Sequence, residues 1–194
     1  AMVASAQEFI ATLQDGEPLI WQAFQPDEGE SEITMVWQDG PILCKIRPDR
    51  ISKDRKIIVD VKTTSRSAEP DSWGRTQMVG MGYYKSAAFY RRGIEALFNV
   101  SPKYAFLVIE TEPPYLCSMP AMDPRAFELG KIEIERGLRA WQACAASGRW
   151  PGYPPRCVYP EIAAWEQARI EEREANEISE HGIEYDPAKL WEKQ

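Results

Sequence analysis

The stretch from Leu43 to Thr64, LCKIRPDRISKDRKIIVDVKTT, constrains this chain most. Its second half, IIVDVK, is a β-branched run of the kind that forms a buried strand, yet Asp60 and Lys62 are set inside it. A charge buried without a partner in such a strand is expensive. Strand residues two apart point to one face, so Asp60 and Lys62 lie side by side. The first half ends at Pro48-Asp49, and a short charged turn joins the two. A hairpin between them brings Asp49 beside the pair. Two carboxylates and an ammonium gathered at a strand end can hold Mg²⁺ and position a water.

Around this stretch the pattern predicts a mixed α/β (α+β) domain. Residues 5–13 read as a short helix, ended by Asp15-Gly16. Residues 32–37, EITMVW, alternate as a strand, with Ile33, Met35 and Trp37 on one face. Asp39-Gly40 is a tight-turn signal before a second strand at 41–46, and 56–62 is the third. Short connections make these three an antiparallel meander. Residues 63–72 read as a loop, and 73–98 as one or two helices stopped at Asn99, with Gly80, Gly82 and Gly93 marking weakness or close packing. The run YAFLVIE at 104–110 is a buried strand, and 116–119 a further short one. Asp123-Pro124 caps a helix that runs to Ser147 and ends at Gly148, with Phe127, Ile134, Leu138, Trp141 and Ala145 toward the core. Residues 162–179 read as a charged helix with Trp165 as its apolar anchor.

Charge divides the chain unevenly. Residues 161–194 hold ten acids and four bases, which leaves the preceding 160 residues near neutral within a net charge of −7. A local basic groove for phosphate is compatible with that distribution. The expected organisation is an N-terminal helix and loop (1–29), a core (30–160) and an acidic helical tail (161–194). No apolar run approaches the length of a membrane span, and the first residues lack the pattern of a secretory signal. Cys44, Cys117, Cys144 and Cys157 show no CxxC spacing and read as buried free thiols of a reducing cytoplasm. The one histidine, His181, lies in the acidic tail and reads as a surface residue, so histidine acid–base chemistry is set aside.

The residues assign roles within the central stretch. In a catalytic reading, as against a surface Asp–Lys ion pair, Asp49 and Asp60 are expected to bind Mg²⁺ or Mn²⁺ through oxygen, with the carbonyl of Val61, between the two side chains of the D-x-K element, as a candidate further ligand. Lys62 orients or deprotonates the attacking water or stabilises charge on the phosphorane. Thr63, Thr64, Ser65 and Arg66 follow directly and can contact phosphate without reading sequence. Arg47, Arg50, Lys53, Arg55 and Lys56 form a basic rim around the hairpin turn. Trp73 is a candidate wedge at a duplex end, with Arg75 and Tyr90 as further candidate DNA contacts.

The spacing PD, ten residues, DVK is the PD-(D/E)xK arrangement of metal-dependent nucleases. CKIRPDRI, IIVDVKTT, AAFYRRGIEALFNV and YAFLVIET, in this order, resemble the C-terminal nuclease domain of RecE-type exodeoxyribonuclease VIII. The resemblance covers roughly residues 30–151. It implies a restriction-endonuclease-like core, with a central mixed sheet that opens on an antiparallel meander and is flanked by helices. It also implies Mg²⁺-dependent degradation of linear duplex DNA from 5′ ends, leaving a 3′ overhang for a single-strand annealing protein of the RecT kind, and subunits arranged as a homo-oligomeric ring. In these folds the preceding strand often supplies another acid near the metal, for which Glu32 is the candidate and Glu30 a competitor. The family carries a histidine upstream of the PD element, absent from that part of this sequence, and a QxxxY pattern in which Tyr90 is kept and Ser86 replaces the glutamine. An endonuclease, or a DNA-binding or assembly module without hydrolysis, would use the same fold.

Overall fold

The apolar runs at 57–61 and 104–109 become adjacent parallel strands at the centre of a mixed sheet. The computed structural model describes residues 1–181. In chain order it contains α1 (Met2–Gly16), α2 (Pro18–Phe24), β1 (Gly29–Ser31), β2 (Met35–Asp39), β3 (Ile42–Ile46), β4 (Arg50–Ser52) and β5 (Ile57–Thr64). There follow α3 (Pro70–Trp73), a π-helical turn (Gly74–Met78), α4 (Tyr83–Phe98), β6 (Lys103–Glu110), β7 (Cys117–Ser118), α5 (Pro124–Ser147) and α6 (Ala164–His181). The chain divides into two compact units, Ala1–Trp150 and Pro151–Gln194. Among the described residues no helix is long and apolar enough to cross a membrane.

The main sheet has the order β1-β4-β5-β6-β7. β5 and β6 pair in parallel along their whole length, from Ile57 opposite Lys103 to Thr64 opposite Glu110. The other pairs are antiparallel. The mixed sheet with flanking helices is the fold class the sequence predicts, but the strands that open it differ. The antiparallel opening is β1-β4-β5, whereas β2 and β3 form a separate two-stranded sheet. Two local features explain this. Pro48 has no N–H to give to a ladder and interrupts the chain between β3 and β4. Glu32 has a φ of 56°, which ends β1 and turns the chain away before β2. The turn at Asp39-Gly40 forms as its sequence predicts, with Gly40 at a φ of 56°.

Each face of the sheet is covered. α1 and α2 lay Ala6, Leu13, Ile20 and Ala23 on Ile57, Val59, Ala105 and Leu107. α1 and α2 thus close one sheet face within the first compact unit. The other face, with Ile58, Phe106 and Val108, packs against α4, α5 and the β2–β3 hairpin through Trp37, Ile46, Ala87, Ile94 and Phe127. Gly93 on α4 is a close approach: a Cβ there would stand 2.8 Å from the Trp37 ring. Arg92 on the same helix pairs with Asp39 and pins the hairpin to α4.

The helices start and stop largely where the side chains predict. Asp123 caps α5 by accepting from the N–H groups of Arg125 and Ala126, and Pro124 takes the first helical position. Asn99 and Gly148 close α4 and α5 in the left-handed conformation. On α5, Phe127, Ile134 and Leu138 reach the core, but Trp141 is exposed and meets Trp150 edge-on instead. The stretch 73–98 is broken at Gly82, whose φ of 71° separates the π-helical turn from α4. In the second unit, Trp165 at the start of α6 is 72% exposed and anchors nothing as a core residue would. All four cysteines are free thiols, but only Cys44 is fully buried and Cys157 is exposed. The side chain of His181 and residues 182–194 of the acidic tail lie outside the described residues.

Candidate active site

The β4–β5 pairing builds the site. Arg50 stands opposite Val59 and Ile51 opposite Ile58, and there β4 stops. From Asp60 onward that edge of β5 has no strand beside it among the described residues. Asp49, the residue before β4, fills the gap with its side chain: Oδ2 accepts the N–H of Val61 at 2.7 Å. A strand residue sends its N–H and C=O to the same side, so the Val61 carbonyl also faces the Asp49 edge rather than β6.

Alternation along β5 puts Asp60 and Lys62 on the face that carries Ile58. Their side chains form an ion pair, with the carboxylate largely buried and the ammonium partly so. Burial pushes the Asp60 carboxyl from an ordinary 3.8 up to about 6, with a further rise from the neighbouring Asp49, against the opposing pull of Lys62. Two further hydroxyls stand in this field. Tyr90 donates to the Arg47 carbonyl at 3.3 Å and so holds the turn that presents Asp49. Tyr104, on β6, is fully buried, and its hydroxyl has no hydrogen-bond partner among the described residues. Burial raises its phenol well above the usual value, and the charge of Asp60 raises it further.

These donors fit a divalent cation. Asp49, Asp60 and the Val61 carbonyl are hard oxygen ligands. Burial, with a smaller push from Asp49, lifts the Asp60 pKa, and a cation held by the two carboxylates would offset both, while the Tyr104 hydroxyl, which has no hydrogen-bond partner among the described residues, adds a polar group beside them. Among the described residues no group of three or more His, Cys, Asp or Glu side chains could hold a metal, so the carboxylate set stops at two. Glu32 does not extend it. Its N–H meets the carbonyls of Pro48 and Asp49, but its carboxylate turns to Arg47 at 2.8 Å. Glu30 pairs with Arg55.

Several expected DNA contacts are placed otherwise. Trp73 is 1% exposed, stacked within the core, and cannot act as a wedge. The Arg50 guanidinium is spent on the Ala23 carbonyl at 2.7 Å, the Gln25 carbonyl at 2.8 Å and Ser31 at 3.0 Å, tying α2 to β1. Arg47, Arg55 and Lys56 are each paired with an acid, which neutralises most of the basic rim. Thr64 is buried and donates to Gln77 at 2.6 Å, while Thr63 lies on the opposite face of β5 from Asp60. Tyr90 is half-buried and engaged with the Arg47 carbonyl. Ser65 and Arg66 are exposed, and so is Arg75, at 3.7 Å from the equally exposed Asp71. Sequence reasoning missed Tyr104 as a site residue. Its signal was a lone hydroxyl in the buried run YAFLVIE, two residues before the strand partner of Asp60.

A family model described as PDDEXK-like domain of unknown function (DUF3799) matches residues 1–162. Among solved structures, the chain is similar to a candidate exonuclease from Eubacterium rectale, with a TM-score of 0.56 and 13% identity. That match covers 84% of this chain and 64% of the other, so the chain spans less than two-thirds of its relative's length. An alkaline exonuclease from Laribacter hongkongensis matches at 15% identity over 72% of this chain and 73% of its own, but a TM-score of 0.25 is too low to define a shared fold. No curated protein matches the sequence.

Proposed function

The chain belongs to this PDDEXK-like family, and from that premise we propose that it is a metal-dependent 5′–3′ exodeoxyribonuclease of the RecE type acting on linear duplex DNA. The observation that carries the proposal is the meeting of Asp49, Asp60 and Lys62 at the open edge of β5. Asp49, Asp60 and the Val61 carbonyl would hold Mg²⁺ or Mn²⁺. A cation there supplies positive charge against the scissile phosphate and lowers the pKa of a bound water.

The chain's own residues do the rest. Asp60 holds the Lys62 ammonium by direct pairing. Lys62 donates to the attacking water or to the phosphoryl oxygen on which charge grows. Water attacks phosphorus and gives up a proton to solvent, the bond from phosphorus to the 3′-oxygen breaks, and the departing oxygen takes a proton from solvent. The Val61 N–H fixes Asp49 in the rotamer that faces Asp60, and Tyr90 braces the backbone before it. Ser65, Arg66 and Arg75, exposed beyond the end of β5, are proposed to meet DNA phosphates, which positions a duplex without reading its sequence. The proposed product is a 3′ single-stranded overhang for an annealing protein of the RecT kind, and the proposed assembly is a homo-oligomeric ring.

Incubation of linear and covalently closed duplex DNA with the protein tests this, with Mg²⁺ or with EDTA. The proposal expects loss of linear DNA only, and only with Mg²⁺. Cleavage of the closed circle would make the protein an endonuclease. Absence of any cleavage would leave a DNA-binding or assembly module.

A further inference from the structure

Two groups meet the Lys62 ammonium among the described residues. One is the Asp60 carboxylate. The other is the face of Tyr83, whose ring centroid lies 4.9 Å from Nζ. That ring is itself held. It stacks on the Trp73 indole at 5.9 Å with the planes 19° apart, and leans on Phe106 at 6.2 Å. Trp73 is buried and packs against Phe106 at 5.1 Å, and Phe106 is the strand partner of Asp60. Tyr83 is the first residue of α4, directly after the left-handed Gly82, so the bend at that glycine sets where the ring begins.

We propose that Tyr83, clamped by Trp73 and Phe106, is a positioning residue for Lys62. The proposal rests on the reading of Lys62 as the catalytic lysine. A lysine ammonium is a compact charge on a flexible four-carbon stem. Held by Asp60 alone, it would follow the carboxylate through many stem conformations. An aromatic face attracts the ammonium without adding a second anion, so the charge stays available to a phosphate. An aliphatic side chain in the same place would give no such attraction, and an acid would compete with the substrate. The wall Trp73–Tyr83–Phe106 therefore fixes the direction of Lys62 without adding an anion to the Asp60 carboxylate it already pairs with.

The test uses the full chain with its lysines ¹³C-labelled, without metal or DNA. The Lys62 Cε protons, assigned by their loss in Lys62→Arg, are expected upfield of the other lysines because they lie over a ring. Tyr83→Phe keeps that shift and Tyr83→Leu removes it. In parallel, Tyr83→Leu lowers kcat on linear DNA about tenfold with KM unchanged, and Tyr83→Phe restores most of the rate. If Tyr83→Leu unfolds, Tyr83→Met, which fills the space with an unbranched chain, carries the same two readouts. The inference is overturned if the upfield shift survives loss of the ring, if kcat does not fall, or if Tyr83→Phe is as slow as Tyr83→Leu. Full activity in Lys62→Ala would instead remove the catalytic reading of Lys62, a result the spectrum cannot mimic.

Discussion

β5 and β6 are parallel neighbours of equal length, paired residue for residue, and they carry opposite chemistry. From Tyr104 to Ile109, β6 is buried on both faces. It lies between β5 and β7, and every side chain in that span is apolar or aromatic. β5 is equally apolar while β4 runs beside it, and turns charged at Asp60, where β4 has stopped. The difference shows how a sheet of this kind accommodates a buried acid. The strand edge opens, a side-chain carboxylate replaces the missing backbone acceptor at Val61, and an ammonium two residues on offsets the charge. The apolar β6 supplies the rigid backing against which that polar edge is held.

Moving the charge to the wrong strand should break the comparison outright. Val108 is fully buried opposite Lys62. Val108→Asp is expected to cost more than about 4 kcal/mol and to leave the chain largely unfolded by circular dichroism. A native melting curve would mean that β6 is less closed than described. On β5, Lys62→Ala should instead keep the fold and slow hydrolysis by about 10²–10³-fold, as removal of one charge-stabilising donor does. A rate within a few-fold of wild type would take Lys62 out of the mechanism.

The next effect is on stability against pH. The Asp60 carboxyl binds its proton more tightly in the folded chain than an ordinary carboxyl does. The Asp60 contribution to metal-free stability should therefore be greatest at low pH, decline as pH rises from 3.8 through about 6, and level off above that. The shift of roughly 2 units corresponds to about 3 kcal/mol. Asp60→Asn should remove that contribution and melt higher than metal-free wild type at pH 7. Unchanged pH dependence in the variant would contradict a strained, desolvated Asp60. The smallest effect is expected at Arg50. Arg50→Ala leaves the Ala23 and Gln25 carbonyls without their donor, and should lower stability by about 2 kcal/mol while DNA affinity is retained. Weakened DNA binding in a folded Arg50→Ala would return this residue to the DNA interface.

The central elements were legible because their signals are local. An apolar run bounded by prolines reads as a buried strand, and PD followed by DVK at hairpin spacing brings Asp49 toward Asp60 whichever strands pair around them. The caps at Asp123, Asn99 and Gly148 were legible for the same reason. What failed depended on contacts distant in sequence. Trp73 stands in a polar stretch and reads as exposed, but its burial is decided by Phe106 on a later strand. Arg50 reads as part of a basic rim, but the carbonyls at the end of α2 claim it. The meander was misplaced because alternation in 32–37 and 41–46 fixes which residues face inward, not which strand lies alongside. Tyr83 and Tyr104 enter the site only through the parallel register of β5 and β6 and the bend at Gly82, neither of which a local pattern specifies.

The central claim is that the open edge of β5 is a hydrolytic site. Its most direct test is the release of nucleotides from uniformly labelled linear duplex DNA by wild type and Asp60→Asn, with Mg²⁺, at equal concentrations of folded protein. The account predicts steady release by wild type and none above background by the variant. Equal release by both, or none by wild type, would contradict it.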